Sequence, residues 1–183
     1  GRRTLELLLA EASQQRAGNG TRLRIVALCN SQRILWCRRH EADADDLLQR
    51  LEAQPPQPQS AERLLEELGS QCFDRLVVVD ASASPDIAAL YERFLSRGIA
   101  IVTPNKLANS AGFENFARLK QVASHGATPY LYETTVGAAL PVIKPLLDLR
   151  RAGDKPLRVE AVLSGTIAYV LDLSIGDARD FFT

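Results

Sequence analysis

Apolar positions recur along this chain with two alternating periods. Over residues 2–15, Leu5, Leu8, Leu9 and Ala12 fall on one helical face, and Gly18-Asn19-Gly20 breaks the pattern. Residues 23–29 (LRIVALC) form instead a nearly continuous apolar run, as in a strand buried on both faces of a parallel sheet. Helical spacing returns over 43–54, with Leu47, Leu48 and Leu51 inward, and Pro55-Pro56-Gln57-Pro58-Gln59 stops it. The sheet pattern resumes beyond that run, which therefore reads as a surface loop rather than a domain linker. Ser60 caps a predicted helix over 61–68 that ends at Gly69, and residues 76–80 are the next buried strand. Ser84 as N-cap, Pro85 in the first helical position, Asp86 at the positive end of the dipole and Gly98 as a stop predict a helix over 85–98. A strand over 99–103, a helix over 110–125 ending at Gly126, and a strand over 129–133 complete the series.

Strand and helix thus alternate as in a doubly wound parallel α/β sheet, whose ligand crevice lies at the carboxyl ends of the strands. From Val136 the pattern changes to an apolar helix through Leu149, a polar turn at Gly153-Asp154-Lys155, and a strand over 157–163. In that strand Arg158 and Glu160 alternate with Val159 and Ala161, which predicts a sheet with one exposed face. We place a domain boundary near Thr135: residues 1–135 form a dinucleotide-binding domain, and 136–183 open a second, α+β domain. A length of 183 residues suits one domain plus a fragment. A complete dinucleotide fold starts with a strand and GxGxxG, whose glycines let the backbone approach the pyrophosphate. Here only Gly1 stands at the mouth of the first helix, in the place of the last glycine, so the expectation is a first domain lacking its first strand and a second domain incomplete at its end.

Composition narrows the partners. Twenty-two basic residues balance twenty-two acidic ones with no Lys/Arg-rich block, which argues against nucleic acid. The longest apolar runs fall far short of the ~20 residues needed to cross a bilayer, so the expected partner is a small molecule and the expected compartment is the cytoplasm. Cys29, Cys37 and Cys72 lack CxxC spacing, and His40 and His125 are too few and scattered for structural zinc. The cysteines read as reduced packing residues.

Four loops could carry chemistry. After the second expected strand, where an acid ordinarily holds the adenosine ribose, stand Asn30-Ser31-Gln32-Arg33; Asn30, Ser31 and Arg33 suit a ribose phosphate and favour NADP, with NAD also admitted. Asp80-Ala81-Ser82-Ala83-Ser84 puts small residues, Ala81 and Ser82 among them, where backbone and a planar ring could meet. Thr103-Pro104-Asn105-Lys106 places a Lys in the crevice, where desolvation would suit it to acid–base work. Finally, Glu133-Thr134-Thr135-Val136-Gly137-Ala138-Ala139-Leu140-Pro141 combines an acid with a turn whose carbonyls could meet a hard cation, or forms a tight hinge.

Taken in order, NSQR, DASAS, TPNKLA, YETTVGAALP and LSGTIAYV resemble homoserine dehydrogenase over roughly residues 1–171, most of all the dehydrogenase portion of bifunctional aspartokinase–homoserine dehydrogenases. The resemblance implies a Rossmann-like fold and reversible NAD(P)-dependent interconversion of L-homoserine and L-aspartate 4-semialdehyde, on the way to threonine and methionine. It further implies a homo-oligomer in the intact protein and an aspartokinase domain fused upstream. Lys106 matches the family's NK lysine beside cofactor and substrate, and Asn105 and Thr103 shape the nicotinamide pocket. Glu133, with the carbonyls of Val136, Ala138 and Leu140, matches a monovalent-cation site for Na⁺ or K⁺; Thr135 and Gly137 lie on the substrate side, and Gly165 belongs to the SGT turn that meets the cofactor. Two departures stand out: the leading strand with most of GxGxxG is missing, and so is a later acidic block with a second lysine; residues 172–183, moreover, do not match what should follow. Another semialdehyde or sugar oxidoreductase would share the fold but should place a Cys or His in the crevice. A non-catalytic nucleotide-sensing domain need not keep Lys106 and Glu133 together.

Overall fold

The computed structural model describes residues 1–14, 23–37, 43–58, 60–69, 73, 75–166, 168, 169 and 172. The expected break at residues 18–20, His40, Cys72 and residues 173–183 lie outside them.

Helix α1 (Arg2–Gln14) buries Leu5 and Leu9 as its periodicity requires. A hairpin follows, of β1 (Ala27–Cys29) and β2 (Ile34–Trp36), paired antiparallel in the register Ala27↔Trp36 and Cys29↔Ile34. The strand expected over 23–29 is therefore shorter than its apolar run and is not part of the parallel sheet. The cause is local: Asn30 Oδ1 accepts the N–H groups of Gln32 (2.9 Å) and Arg33 (2.8 Å), reversing the chain, and the ILW run then supplies an immediate partner. Helix α2 (Ala44–Glu52) is capped by Asp43, whose Oδ1 accepts the Asp45 N–H at 3.0 Å. Leu47 and Leu51 of α2 pack with Leu5, Leu9 and Leu35 in one apolar cluster.

Helix α3 (Ser60–Gly69) has two apolar sides. Leu65 enters the main core, while Leu64 and Leu68 pack on Ile34 of the hairpin, so α3 joins the two layers. The second sheet is parallel, β3 (Val77–Val79), β4 (Ala100–Val102) and β5 (Tyr130–Leu131), in the order β3-β4-β5. Between β3 and β4, α4 (Pro85–Ala89) and α5 (Tyr91–Ser96) replace the single helix expected over 85–98, separated at Leu90. The predicted start holds, with Ser84 Oγ accepting the Asp86 N–H at 3.2 Å. Between β4 and β5 come α6 (Leu107–Ser110) and α7 (Phe113–His125), divided at Gly112, whose φ of 110° no helix continues.

Val78, Ile101 and Tyr130 point to one side of this sheet and join Tyr91, Phe94, Leu95, Leu119 and Ala123 in the main core. The opposite side carries Val77, Val79, Val102 and Leu131, between 36% and 56% exposed. Continuous apolar strands predict two covered faces. Here α1 and α2 pack with the hairpin instead, and the described residues cover only one face.

After β5, residues Glu133–Thr135 make a single 3₁₀ turn, and α8 (Ile143–Arg151) begins well beyond the expected start at Val136. Gly137 (φ 69°) and Ala138 (φ 52°) adopt the left-handed conformation, which cannot propagate a right-handed helix. The strand expected over 157–163 does not form; Leu157 is 97% and Val162 74% exposed. An alternating segment needs a ladder partner, and no described strand lies beside it. None of the described helices is long and apolar enough to cross a membrane.

Candidate active site at the strand ends

Backbone bonds align the three strand ends: Asp80 N–H donates to Val102 O (3.0 Å) and Thr103 N–H to Leu131 O (2.9 Å). Just beyond lies a buried polar cluster of Asp80, Tyr91, Thr103 and Asn105, each no more than 5% exposed. The Tyr91 phenol donates to Asp80 Oδ2 at 2.5 Å, Asn105 Nδ2 donates to the same oxygen at 3.1 Å, and Ser82 N–H donates to Asp80 Oδ1 at 2.8 Å. Thr103 Oγ1 lies 2.7 Å from the phenol oxygen, donates to the Asp80 carbonyl at 3.1 Å, and accepts the Asn105 N–H at 2.9 Å. The cluster sits where β3 and β4 end and α5 begins, so it satisfies groups that water cannot reach.

Burial, then the Asp80 carboxylate, pushes the Tyr91 phenol well above its usual range; burial, then Tyr132, does the same for Tyr130, which donates to Asn109 Oδ1 at 2.6 Å. A folded-state value raised above that of the unfolded chain stabilises the fold fully below ~10 and less as pH rises beyond it. Alkaline titration followed at phenolate absorbance should therefore show these two tyrosines silent at about pH 10, ionising only as the protein unfolds, with Tyr91→Phe removing one late proton. Their ionisation with the sheet intact would mean the cluster is open to water.

The structure brings two of the expected loops together. Lys106 is exposed, directly before α6, so the desolvation expected of it is not a property of the chain alone. Ser82 is exposed and Ala81 half-buried on the facing turn. Thr103 and Asn105 turn their side chains inward, away from the crevice, and can shape a nicotinamide pocket only from behind. Asn30, Ser31 and Arg33 lie on the turn of the hairpin, where Arg33 Nε donates to Gln54 O at 3.0 Å. Gly1 directly precedes α1, its carbonyl accepting the Leu5 N–H at 3.0 Å, and a Cβ there would meet nothing within 4 Å. Gly165 is exposed in a helical turn where Ala168 N–H donates to Ser164 O at 2.9 Å.

The turn after β5 is built around Glu133. Its Oε1 accepts the N–H groups of Val142 (2.6 Å) and Ile143 (2.8 Å), and its Oε2 accepts that of Lys144 (2.8 Å). The carboxylate thus caps α8 from ten residues upstream of Ile143. Thr135 is buried, its hydroxyl donating to Tyr132 O at 2.7 Å. At Gly137 the positive φ has a steric companion, since a Cβ would come within 2.8 Å of Val142 Cγ2. The carbonyls of Val136, Ala138 and Leu140 accept no backbone hydrogen bond among the described residues, which fits oxygen ligands for a cation.

The sequence reading took Asp80 only as the first residue of the DASAS turn and Tyr91 not at all, yet both belong to this buried cluster. Their spacing of eleven residues across a capped helix was the available signal. An open groove of about 690 Å³ lined by Gly98, His125 and Thr128 lies at the amino ends of β4 and β5. We place the site at the other end, because there the loops after successive strands converge.

A parallel sheet with helices packed on it and convergent turns at its carboxyl ends defines a nucleotide-binding α/β domain. A family profile described as "Homoserine dehydrogenase, NAD binding domain" matches residues 1–133, and the chain belongs to the homoserine dehydrogenase family through that domain. Among curated proteins, it is 42% identical over 108 residues to bifunctional aspartokinase/homoserine dehydrogenase 1, chloroplastic, of Arabidopsis thaliana, covering 59% of this chain and 12% of that protein. It is 32% identical over 182 residues to the Zea mays protein of the same name, covering 99% of this chain and 20% of that one. The chain thus spans a fifth or less of the length of these relatives. Among solved structures, a hyperthermophilic archaeal homoserine dehydrogenase in complex with NADPH matches with a TM-score of 0.55 at 21% identity, covering 77% of this chain and 44% of that one, a likeness of fold.

Proposed function

We propose that the protein carrying this chain interconverts L-homoserine and L-aspartate 4-semialdehyde with NADP, NAD being the weaker partner. The observation that carries this reading is Lys106, exposed at the carboxyl end of β4 on a turn fastened to the turn after β3. Small side chains at Ala81, Ser82 and Ala83 leave the facing backbone accessible to a flat ring, so the residues present fit a nicotinamide. When bound, that group accepts or supplies the hydride. Lys106 stands to hold or move the proton of the substrate oxygen, and Arg33 on the hairpin to meet the ribose phosphate.

Several finer readings belong to the same proposal. Residues 1–135 form the cofactor domain and 136–183 the start of a substrate and dimerisation domain; α8 buries no residue fully, unlike α5 and α7. Thr135 and Gly137 lie at the substrate side of that hinge, with Gly165 closing from beyond it. Na⁺ or K⁺ is held by the carbonyls of Val136, Ala138 and Leu140 beside Glu133. Exposed Leu149, Leu157, Val159 and Val162 fit burial in a homo-oligomer, and an upstream aspartokinase fits the names of the plant relatives. Purified full-length gene product should reduce NADP when given L-homoserine, read as absorbance of the reduced ring; no turnover with either cofactor would sink the reading.

A further inference from the structure

Asp80 is a buried carboxylate whose partners among the described residues are all neutral: the Tyr91 phenol, the Asn105 amide and the Ser82 N–H. Burying a charge without a counter-charge is costly, and hydrogen bonds are what offset that cost. What they do here is fasten one peptide. Asn105 Nδ2 donates both to Asp80 Oδ2 (3.1 Å) and to Ser84 O (3.0 Å), its N–H donates to Thr103 Oγ1 (2.9 Å), and its Oδ1 accepts the Leu107 N–H (3.1 Å). Lys106 lies between Asn105 and Leu107, so the backbone is pinned on both flanks of the one exposed cation of that turn, and pinned to the turn after β3.

We infer that Asp80 and Tyr91 are positioning residues: the carboxylate, held by the phenol of α5, orients Asn105 and through it sets where Lys106 stands relative to residues 80–84. This rests on the proposed function for the identity of the reaction, while the pinning itself does not. Tyr91 reaches the cluster from within the main core, where it is fully buried and packs edge-on against Tyr130 with ring centroids 5.9 Å apart. The reach of Lys106 is thereby tied to the buried main core rather than left to the loop alone.

The test uses the full-length gene product with Tyr91→Phe, Asp80→Asn, Asn105→Asp and the double swap Asp80→Asn/Asn105→Asp. Tyr91→Phe removes the phenol's bonds to Asp80 and Thr103, Asp80→Asn turns one acceptor oxygen into a donor, and Asn105→Asp removes the two bonds its amide donates, each with little change in volume; the swap restores an amide–carboxylate pair between positions 80 and 105, though not the bond to Ser84 O. Well below the melting temperature, Tyr91→Phe and Asp80→Asn should each lower kcat for homoserine oxidation about tenfold while the Kd for NADPH moves less than about threefold. The swap should recover part of the kcat lost by Asp80→Asn, the bond to Ser84 O staying lost, and amide exchange at Leu107 should quicken about tenfold in Tyr91→Phe. Lower melting temperatures with kcat and Leu107 exchange unchanged, or a swap whose losses simply add, would overturn the inference. If Tyr91→Phe does not fold, Asn105→Asp and the swap decide it alone. If the unmodified protein does not oxidise homoserine, the proposed function falls by itself, and Leu107 exchange still decides whether Asp80 and Tyr91 pin the turn.

Discussion

Replacing Lys106 by Ala in the full-length protein lowers kcat for homoserine oxidation by about 10²- to 10⁴-fold and leaves the Kd for NADPH within about threefold. A group that gives or takes a proton acts mainly in the transition state, so its loss appears in turnover rather than in ground-state binding. The fold should not register the change, because Lys106 is exposed and outside the buried cluster. Its removal should shift stability by no more than about 0.5 kcal/mol. Lys106→Arg separates charge from proton transfer: the guanidinium keeps the positive charge but does not release its proton at working pH. It should therefore recover little of the loss. Parallel losses of turnover and NADPH affinity in Lys106→Ala, or full activity in Lys106→Arg, would make the lysine an electrostatic anchor instead.

The parts of this fold that could be read from sequence are those governed by neighbours a few residues apart. Ser84 caps its helix as its position predicts, Asp43 caps the helix it was expected to begin, and Leu5, Leu9, Leu47 and Leu51 are buried where helical spacing puts them. The failures come where a distant partner or a single dihedral decides. Asn30 turned the chain back so early that Ile34–Trp36 became a strand, a run of three residues too short to show a period. Gly137 and Ala138 look harmless in composition, yet their positive φ values postpone α8 to Ile143. Residues 157–163 have a strand's alternation and no strand to pair with among those described.

The site shows the same division. NSQR, DASAS and TPNK were found as loops, and the family they suggest is borne out by the match over residues 1–133. What sequence could not supply was direction. Thr103 and Asn105, expected to shape the nicotinamide pocket, turn their side chains to the buried side, where Asp80 and Tyr91 bond to them. Such bonds join residues between two and twenty-five positions apart, and no periodicity encodes them.

Glu133→Ala should release the first turn of α8. Its carboxylate accepts three backbone N–H groups, those of Val142, Ile143 and Lys144, which a helix start otherwise leaves without partners. A single capping side chain is worth about 0.5–2 kcal/mol, and hydrogen bonds to a charged acceptor lie at the upper end. Partial exposure of Glu133 keeps the sum near ~2 kcal/mol, a factor of roughly 30 in local opening. Because α8 buries no residue fully, the loss should appear as faster amide exchange at Ile143 and Lys144 rather than as global unfolding. Glu133→Gln, which keeps one acceptor oxygen and no charge, should fall between. The same measurement separates capping from cation binding. A carboxylate offers about four acceptor positions, and three are already used, so a cation beside it must lean on the carbonyls of Val136, Ala138 and Leu140. Protection of the α8 amides should then persist when Na⁺ and K⁺ are replaced by a bulky organic cation, and Glu133→Ala should abolish it in either salt. If protection vanishes with the alkali ions while Glu133 is intact, the carboxylate serves the ion first and the helix only through it.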